Sequence, residues 1–172
     1  MLMLFPSLLL ALSMALIPWQ PQVATGPTLV VGSGIGQPGG VASVLVRLNT
    51  AGIPARSYQV NLSYDGAVFP VGQAVRFGGT PDPWTFSQHS PVPGDLRALA
   101  FSFNPADFQP LPRCINGWCG PVYKAVLDIS PETQACRFYP VVVASQDVRA
   151  ANNQLIQLAV TNGAVWVTNG NC

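Results

Sequence analysis

Apolar and polar residues alternate along the stretch YQVNLSYDGAVF, residues 58–69, until a Tyr-Asp-Gly turn interrupts the pattern. Such a period of two is typical of a half-buried β-strand, because successive side chains of a strand point to opposite sides. The predicted core face carries Tyr58, Val60, Leu62 and Tyr64. The predicted solvent face carries Ser57, Gln59, Asn61 and Ser63.

Similar strand-like runs recur along the chain, separated by segments rich in Gly, Pro, Asn and Asp, the residues of tight turns. The nine runs are 28–35, 41–49, 57–65, 68–77, 96–104, 122–130, 139–148, 155–161 and 164–168. After the first 25 residues, no segment of ten or more residues has a helical period. The pattern predicts an all-β fold, a nine-stranded jelly-roll β-sandwich.

The run 96–104 has two possible faces, one with large apolar side chains and one with small ones. We expect Leu99, Phe101 and Phe103 to point into the core, since burying each of these side chains is favourable by about 1.5–3 kcal/mol. In that orientation Ala98, Ala100 and Ser102 form a flat row on the outside.

The chain begins with an apolar run from Met1 to about Ile17, long enough for the core of an export signal and short for a membrane span. We interpret residues 1–25 as a signal peptide cleaved near Val23-Ala24-Thr25, with an uncleaved anchor as the alternative. Residues 26–172 then form a single domain, since a chain of 172 residues is long enough for one domain with a proper hydrophobic core.

Charged residues make up only 9% of the chain, against about 25% in an average soluble protein, and the formal net charge is +1. The eight Lys and Arg residues are scattered singly. Nucleic acids and anionic membranes require clustered basic residues, so neither is an expected partner. The composition favours a secreted β protein, located outside the cell or on its surface.

Four cysteines, an even number, fit an oxidising compartment. Cys114 and Cys119 bracket a short loop and are expected to form a disulfide, after which Cys136 and Cys172 pair by elimination. A zinc site is the alternative for Cys114 and Cys119, but their spacing is unlike that of zinc fingers. We therefore expect no metal and no cofactor.

The candidates for catalysis are few. His89, the only histidine, lies in the Pro-rich stretch WTFSQHSPVPGD and is interpreted as a solvated loop residue. The seven acidic residues form no close pair and no calcium-loop pattern. The chain is therefore not expected to be an enzyme.

Trp84 and Trp118 lie in predicted loops, where an exposed indole could stack on a sugar ring.

The order of motifs along the chain resembles the cohesin module family. The matching segments are VVGSGIGQPGGVASVLVRLN, GIPARSYQVNLSYDGAVF, LRALAFSF, VYKAVLDIS and YPVVVASQDVRAANNQLIQLAVTNGAVWV. Within them, the specific features are a Gln37-Pro38-Gly39 turn, Gly52-Ile53, the Tyr64-Asp65 pair and a closing Asn-Gly-x-Val-x-Val at 162–167.

This resemblance implies a nine-stranded jelly roll, related to family 2 and family 3 carbohydrate-binding modules, that binds a dockerin through the outward face of one sheet. Dockerins are small calcium-loaded helical modules of secreted enzymes. By position, the implied binding face comprises Gln59, Asn61, Ala98, Ala100 and Ser102. The chain departs from the family in its cysteines and in Gln59, where cohesins often have an acidic residue.

We therefore expect a non-catalytic module that recognises a dockerin-type protein partner. Two alternatives remain open at this stage. One is polysaccharide binding through Trp84 or Trp118, and the other is a structural component of the cell envelope without a specific ligand.

Overall fold

The computed structural model describes residues 26–115 and 118–172, and of residues 114, 115 and 118 only the backbone. The predicted signal segment, residues 1–25, lies outside this range. The described residues contain no α-helix, one 3-10 turn at Pro105–Asp107 and thirteen strands. The strands are β1 (Thr28–Val31), β2 (Gly34–Gly36), β3 (Val41–Asn49), β4 (Ala55–Tyr64), β5 (Val71–Arg76), β6 (Thr85–His89), β7 (Asp95–Phe101), β8 (Cys114–Ile115), β9 (Trp118–Cys119), β10 (Tyr123–Asp128), β11 (Arg137–Ala150), β12 (Ala159–Thr161) and β13 (Gly163–Val167).

The strands form two large sheets, as the period-two pattern predicts. The five-stranded sheet has the order β12-β1-β3-β10-β5, and the six-stranded sheet has the order β2-β13-β11-β4-β7-β6. All pairs within them are antiparallel except β1 with β12 and β2 with β13. The inner faces of the two sheets enclose one hydrophobic core. This architecture confirms the predicted all-β sandwich.

The first predicted strand, 28–35, is divided between the two sheets. β1 belongs to the five-stranded sheet and β2 to the six-stranded one, so the chain crosses from one layer to the other at Gly32. Gly163 lies against this crossing, where an added Cβ atom would collide with the carbonyl oxygen of Gly32. Only glycine permits this close approach of two backbones.

Three further strands lie where the sequence predicts loops. β6 lies inside the Pro-rich stretch 78–94, and β8 and β9 form a two-stranded hairpin around the predicted cysteine loop. These strands are two to five residues long. Runs this short contain too few alternations to be separated from a loop by pattern alone.

The core confirms the predicted inward face of β4. Tyr58, Val60 and Leu62 are fully buried and Tyr64 is 8% exposed. Aromatic rings fill the space between the sheets: the ring of Tyr58 lies 6.5 Å from that of Tyr123 and 6.4 Å from that of Trp84.

The described residues contain no helix that is long and apolar enough to cross a membrane.

The orientation predicted for the run 96–104 is wrong. Ala98 and Ala100 are fully buried and Ser102 is 8% exposed, whereas Phe103 is 78% exposed. Ala100 pairs with Tyr58 on one side and with Phe86 on the other. The rings of these neighbours occupy the core above β7, so only small side chains fit there. The larger row points outward because the volume beneath it is already filled.

Candidate functional site

The outward face of β11, β4, β7 and β6 is the largest polar surface built from adjoining strands in this sheet, and we call it the docking face. Its members are directly opposed across the strands and therefore lie on the same side of the sheet. They are Ser145, Asp147 and Arg149 of β11; Ser57, Gln59, Asn61 and Ser63 of β4; Arg97, Leu99 and Phe101 of β7; and Thr85, Ser87 and His89 of β6.

A ladder of uncharged polar side chains runs along β4 at the centre of the docking face. Gln59 donates from Nε2 to Asn61 Oδ1 at 3.3 Å, and Asn61 donates from Nδ2 to Ser145 Oγ at 2.6 Å. Gln59 and Asn61 are both partly exposed, as predicted for this side of the strand. The hydrogen bonds hold the two amides in place before any partner arrives, which lowers the entropy cost of using them in an interface.

The charges on the docking face are paired within it. Arg149 holds Asp147 through two hydrogen bonds, at 2.6 and 2.7 Å, and Arg97 lies 3.1 Å from Asp95. Donating these hydrogen bonds to Asp147 also raises the pKa of the Arg149 guanidinium. Each of the two arginines of the docking face, Arg97 and Arg149, is thus paired with a neighbouring aspartate. Shape and hydrogen bonds, more than long-range charge, are therefore the recognition features that this face offers.

Large apolar side chains project from one end of the docking face. Phe103, just past the end of β7, is 78% exposed, and its ring lies 5.0 Å from that of Phe101. Leu99 stands next to Phe101 along the same row and pairs with Gln59 of β4. Exposed aromatic residues beside a polar surface are characteristic of the anchor points of protein interfaces.

Of the five residues predicted to bind a partner, Gln59 and Asn61 lie on the docking face. Ala98, Ala100 and Ser102 do not, because they point into the core. Ser102 is occupied by its own loop, where its hydroxyl donates to Asp107 Oδ2 at 2.7 Å. The outward residues of β7 that sequence reasoning missed are Arg97, Leu99 and Phe101.

One signal in the sequence could have found them. Arg97 belongs to the same alternating row as Leu99 and Phe101, and turning that row inward would bury an arginine. An unpaired buried guanidinium is far more costly than the exposure of one or two apolar side chains.

The tryptophans predicted as possible sugar-stacking residues have different outcomes. Trp84 is only 2% exposed, and its Nε1 donates to the carbonyl oxygen of Asp107 at 3.0 Å, so it belongs to the core. The side chain of Trp118 lies outside the described residues. Trp166 is partly exposed on β13, with its ring 4.6 Å from that of Phe138, which is 69% exposed.

His89 lies in strand β6 and not in a loop, opposite Arg97. It is exposed, and the residues that line the same depression are Gln59, Ser87, Gln88, Arg97 and Leu99, none of which is an acid. Within the described residues there is no group of three or more His, Cys, Asp or Glu side chains that could hold a metal ion.

The cysteines agree with the predicted pairing as far as they are described. Cys136 and Cys172 form a disulfide with their Cα atoms 5.4 Å apart. Cys119 is also disulfide-bonded, and the hairpin places its backbone directly opposite that of Cys114. The side chain of Cys114 lies outside the described residues, so the first predicted bridge stays a prediction.

The fold of this chain is similar to that of several solved cohesins. CaCohA2 from Clostridium acetobutylicum is 21% identical, with a TM-score of 0.67 over 86% of this chain and 93% of that one. The sixth cohesin of scaffoldin B from Acetivibrio cellulolyticus, solved in complex with a Cel5 dockerin mutant, is 18% identical, with a TM-score of 0.68 over 83% and 99%. The chain has the cohesin fold.

The chain is also similar in fold to a cohesin that is not part of a cellulosome. The non-cellulosomal cohesin from the archaeon Archaeoglobus fulgidus has a TM-score of 0.64 at 11% identity, covering 85% of this chain and 94% of that one. No protein-family model and no curated protein matches the sequence. The likeness to these solved proteins is therefore one of fold.

Proposed function

We propose that this protein is a secreted, non-catalytic cohesin-type module whose docking face binds a dockerin-type protein module. The observation that carries the proposal is the combination on one sheet face of a pre-ordered polar ladder, Gln59 to Ser145, with the apolar side chains of the half-buried Leu99 and Phe101 and the exposed Phe103. Several solved proteins of the same fold were crystallised with dockerins.

The arrangement suits a helical partner. A helix lying across a sheet needs a surface without deep recesses, apolar side chains to bury and polar groups that can pair with its own. The docking face offers the aromatic anchors at one end and the amides of Gln59 and Asn61 at the centre. Its paired charges avoid the cost of burying an unpaired ion when the partner covers them.

Secretion is part of the proposal and rests on two supports. The disulfide between Cys136 and Cys172 requires an oxidising compartment to form and persist. The apolar run that opens the chain is of the length expected for an export signal. Mass spectrometry of the exported protein would give the mature N-terminus and test cleavage directly.

Binding is tested by titrating the protein with purified calcium-loaded dockerin modules in a calorimeter, among them the dockerins of secreted proteins encoded by the same genome. We expect one of them to bind, and we expect Leu99→Asp and Gln59→Arg each to weaken it at least about tenfold, as for central interface residues. Chelation of calcium should abolish the complex, because dockerins are calcium-loaded.

The matched control is Val75→Asp, which places the same charge on an exposed position of β5, on the opposite side of the sandwich. It should leave the affinity unchanged. Equal losses for Leu99→Asp and Val75→Asp, or no binding by any dockerin module, would contradict the proposal. The polysaccharide alternative no longer has Trp84 as a candidate, since that indole is buried.

A further inference from the structure

A cavity of about 460 Å³ opens on the outer side of the five-stranded sheet, on the opposite side of the sandwich from the docking face. Its floor is formed by Thr28 and Val30 of β1 and the end of β3. Its walls are the segment 110–112 and the Cys119–Gly120 end of the cysteine hairpin. The volume lies within the range of pockets that hold small molecules, and the lining is mostly apolar, as in such pockets.

The wall at residues 110–112 is held rigidly by a buried threonine. The backbone N–H of Thr50 donates to the carbonyl oxygen of Leu111 at 2.8 Å, and Thr50 Oγ1 accepts from the N–H of Leu111 at 2.9 Å. Thr50 is fully buried and Leu111 is 1% exposed. The neighbouring Arg113 N–H donates to Gly79 O at 2.8 Å, which ties the other end of the wall. The cavity is therefore preformed.

One charged side chain lies at the rim of this apolar cavity. Among the described residues that line it, Arg47 is the only charged one. Its side chain is exposed and makes no hydrogen bond or ion pair within the described part of the chain. Arg97 and Arg149 on the docking face, by contrast, are each paired with an aspartate. A guanidinium next to apolar walls complements a carboxylate attached to an apolar body.

The floor of the cavity disfavours an extended peptide as occupant. β1 is hydrogen-bonded to β12 on one side and to β3 on the other, and β3 is hydrogen-bonded to β1 and β10. A peptide that binds as an added strand needs a free sheet edge for its main-chain hydrogen bonds. No such edge lies in the floor, so the occupant must be a molecule that needs few hydrogen bonds beyond its charged group.

We propose that this cavity is a binding site for a small amphiphilic carboxylate, such as a medium-chain fatty acid. The apolar chain lies against Val30 and Pro110, and the carboxylate accepts hydrogen bonds from Arg47. The cavity is separate from the docking face, so this proposal does not depend on dockerin binding.

The test is a titration of the ¹⁵N-labelled protein with sodium decanoate, followed by the amide resonances. We expect saturable shifts at Val30, Asn49, Leu111 and Gly120, and none at Gln59 or Phe101 on the docking face. Decanoate should bind about tenfold or more tightly than 1-decanol, since the charge-assisted hydrogen bond is lost in the alcohol. The cation decyltrimethylammonium should bind more weakly than either.

Two variants identify the carboxylate contact. Arg47→Gln should remove the preference for decanoate over decanol. The matched control Lys124→Gln removes a charge from the outer face of the same sheet outside the cavity and should leave that preference intact. Thr28→Trp fills the cavity and should weaken both ligands.

Three outcomes would overturn the proposal: no shifts at the cavity residues at any soluble concentration of decanoate, equal affinities for decanoate and decanol, or equal losses in Arg47→Gln and Lys124→Gln. Because Arg47 and Lys124 are surface residues, both variants should retain the wild-type spectrum elsewhere, which verifies that they fold.

Discussion

A Cβ atom added to Gly72 of β5 would overlap the phenolic oxygen of Tyr64 on β4. The two residues belong to different sheets, so their contact spans the interior of the sandwich. The ring of Tyr64 is set edge-on against Phe69, with centroids 5.9 Å apart, and has little room to move away. The spacing of the sheets at this point therefore depends on a glycine facing a tyrosine.

Gly72→Ala should destabilise the protein by about 1–3 kcal/mol, the usual cost of overpacking a core. In a Tyr64→Phe background the cost should be smaller, because the colliding oxygen is gone. Urea unfolding of the two single variants and the double variant gives the coupling energy, expected at about 0.5–3 kcal/mol. Gly78→Ala, where an added methyl meets nothing within 4 Å, is the control. Additive effects would contradict the contact.

Alkaline pH should unfold the protein through its buried tyrosines. Burial raises the pKa of Tyr58, partly offset by the hydrogen bond to Thr80 at 2.7 Å, and burial raises the pKa of Tyr123 well above 10. In the unfolded chain both titrate near a pKa of about 10, so above that pH the unfolded state binds fewer protons than the folded state. Their contribution to stability is complete below about pH 10 and is lost as the pH rises.

The expected slope is a fall in the free energy of unfolding of up to about 1.4 kcal/mol per pH unit for each of the two tyrosines. Urea unfolding between about pH 9 and about pH 11 measures it. Tyr123→Phe should flatten the slope, while the stability below pH 10 should change little with pH. If the variant has the same alkaline slope as the wild type, Tyr123 is not one of the groups responsible.

Because the small side chains of β7 are buried and the large ones point outward, substitutions at Ala100 and Phe103 should differ in their effect on stability. Ala100→Phe adds a ring to a fully buried position beneath Tyr58 and should cost about 1–3 kcal/mol or more. Phe103→Ser removes a larger apolar side chain from a position that is 78% exposed and should change stability by no more than about 0.5 kcal/mol. Thermal unfolding of both variants tests this, and the opposite ranking would mean that the large residues point inward.

The disulfide between Cys136 and Cys172 ties the last described residue of the chain to the start of β11. It closes a loop with a sequence separation of 36, and removing such a cross-link costs about 2–4 kcal/mol. Cys172→Ser should lower the urea midpoint accordingly, and reduction of the wild-type protein, which also breaks the disulfide of Cys119, should lower it at least as far. A reduced wild type that is more stable than the variant would contradict this assignment, because the substitution itself would then cause part of the loss.

Most of the architecture could be predicted because the relevant signal is local. The alternation in β4 and the turn residues between runs are properties of neighbouring residues, and they predicted the all-β sandwich and the outward position of Gln59 and Asn61. The short strands β6, β8 and β9 were missed for the same reason, since two to five residues do not establish a period.

The candidate site was predicted only in part. The β4 half of the docking face follows from alternation, whereas its β7 half was assigned to the wrong side. Leu99 and Phe101 were expected in the core because they are large, but exposed apolar side chains are common on protein surfaces. The cavity beside Arg47 had no signal in the sequence, because its floor and its walls come from segments that are far apart in the chain.

By itself the sequence determined that the chain is extended, where it turns and which residues of each strand share a face. It could not determine which of the two faces of β7 is buried, because a period of two is unchanged when a strand is turned over. Only the tertiary structure decided that, by placing Tyr58, Phe86 and Trp84 above the small side chains of Ala98 and Ala100. The rings of neighbouring strands already occupy the core space over the inner face of β7, so larger side chains do not fit there.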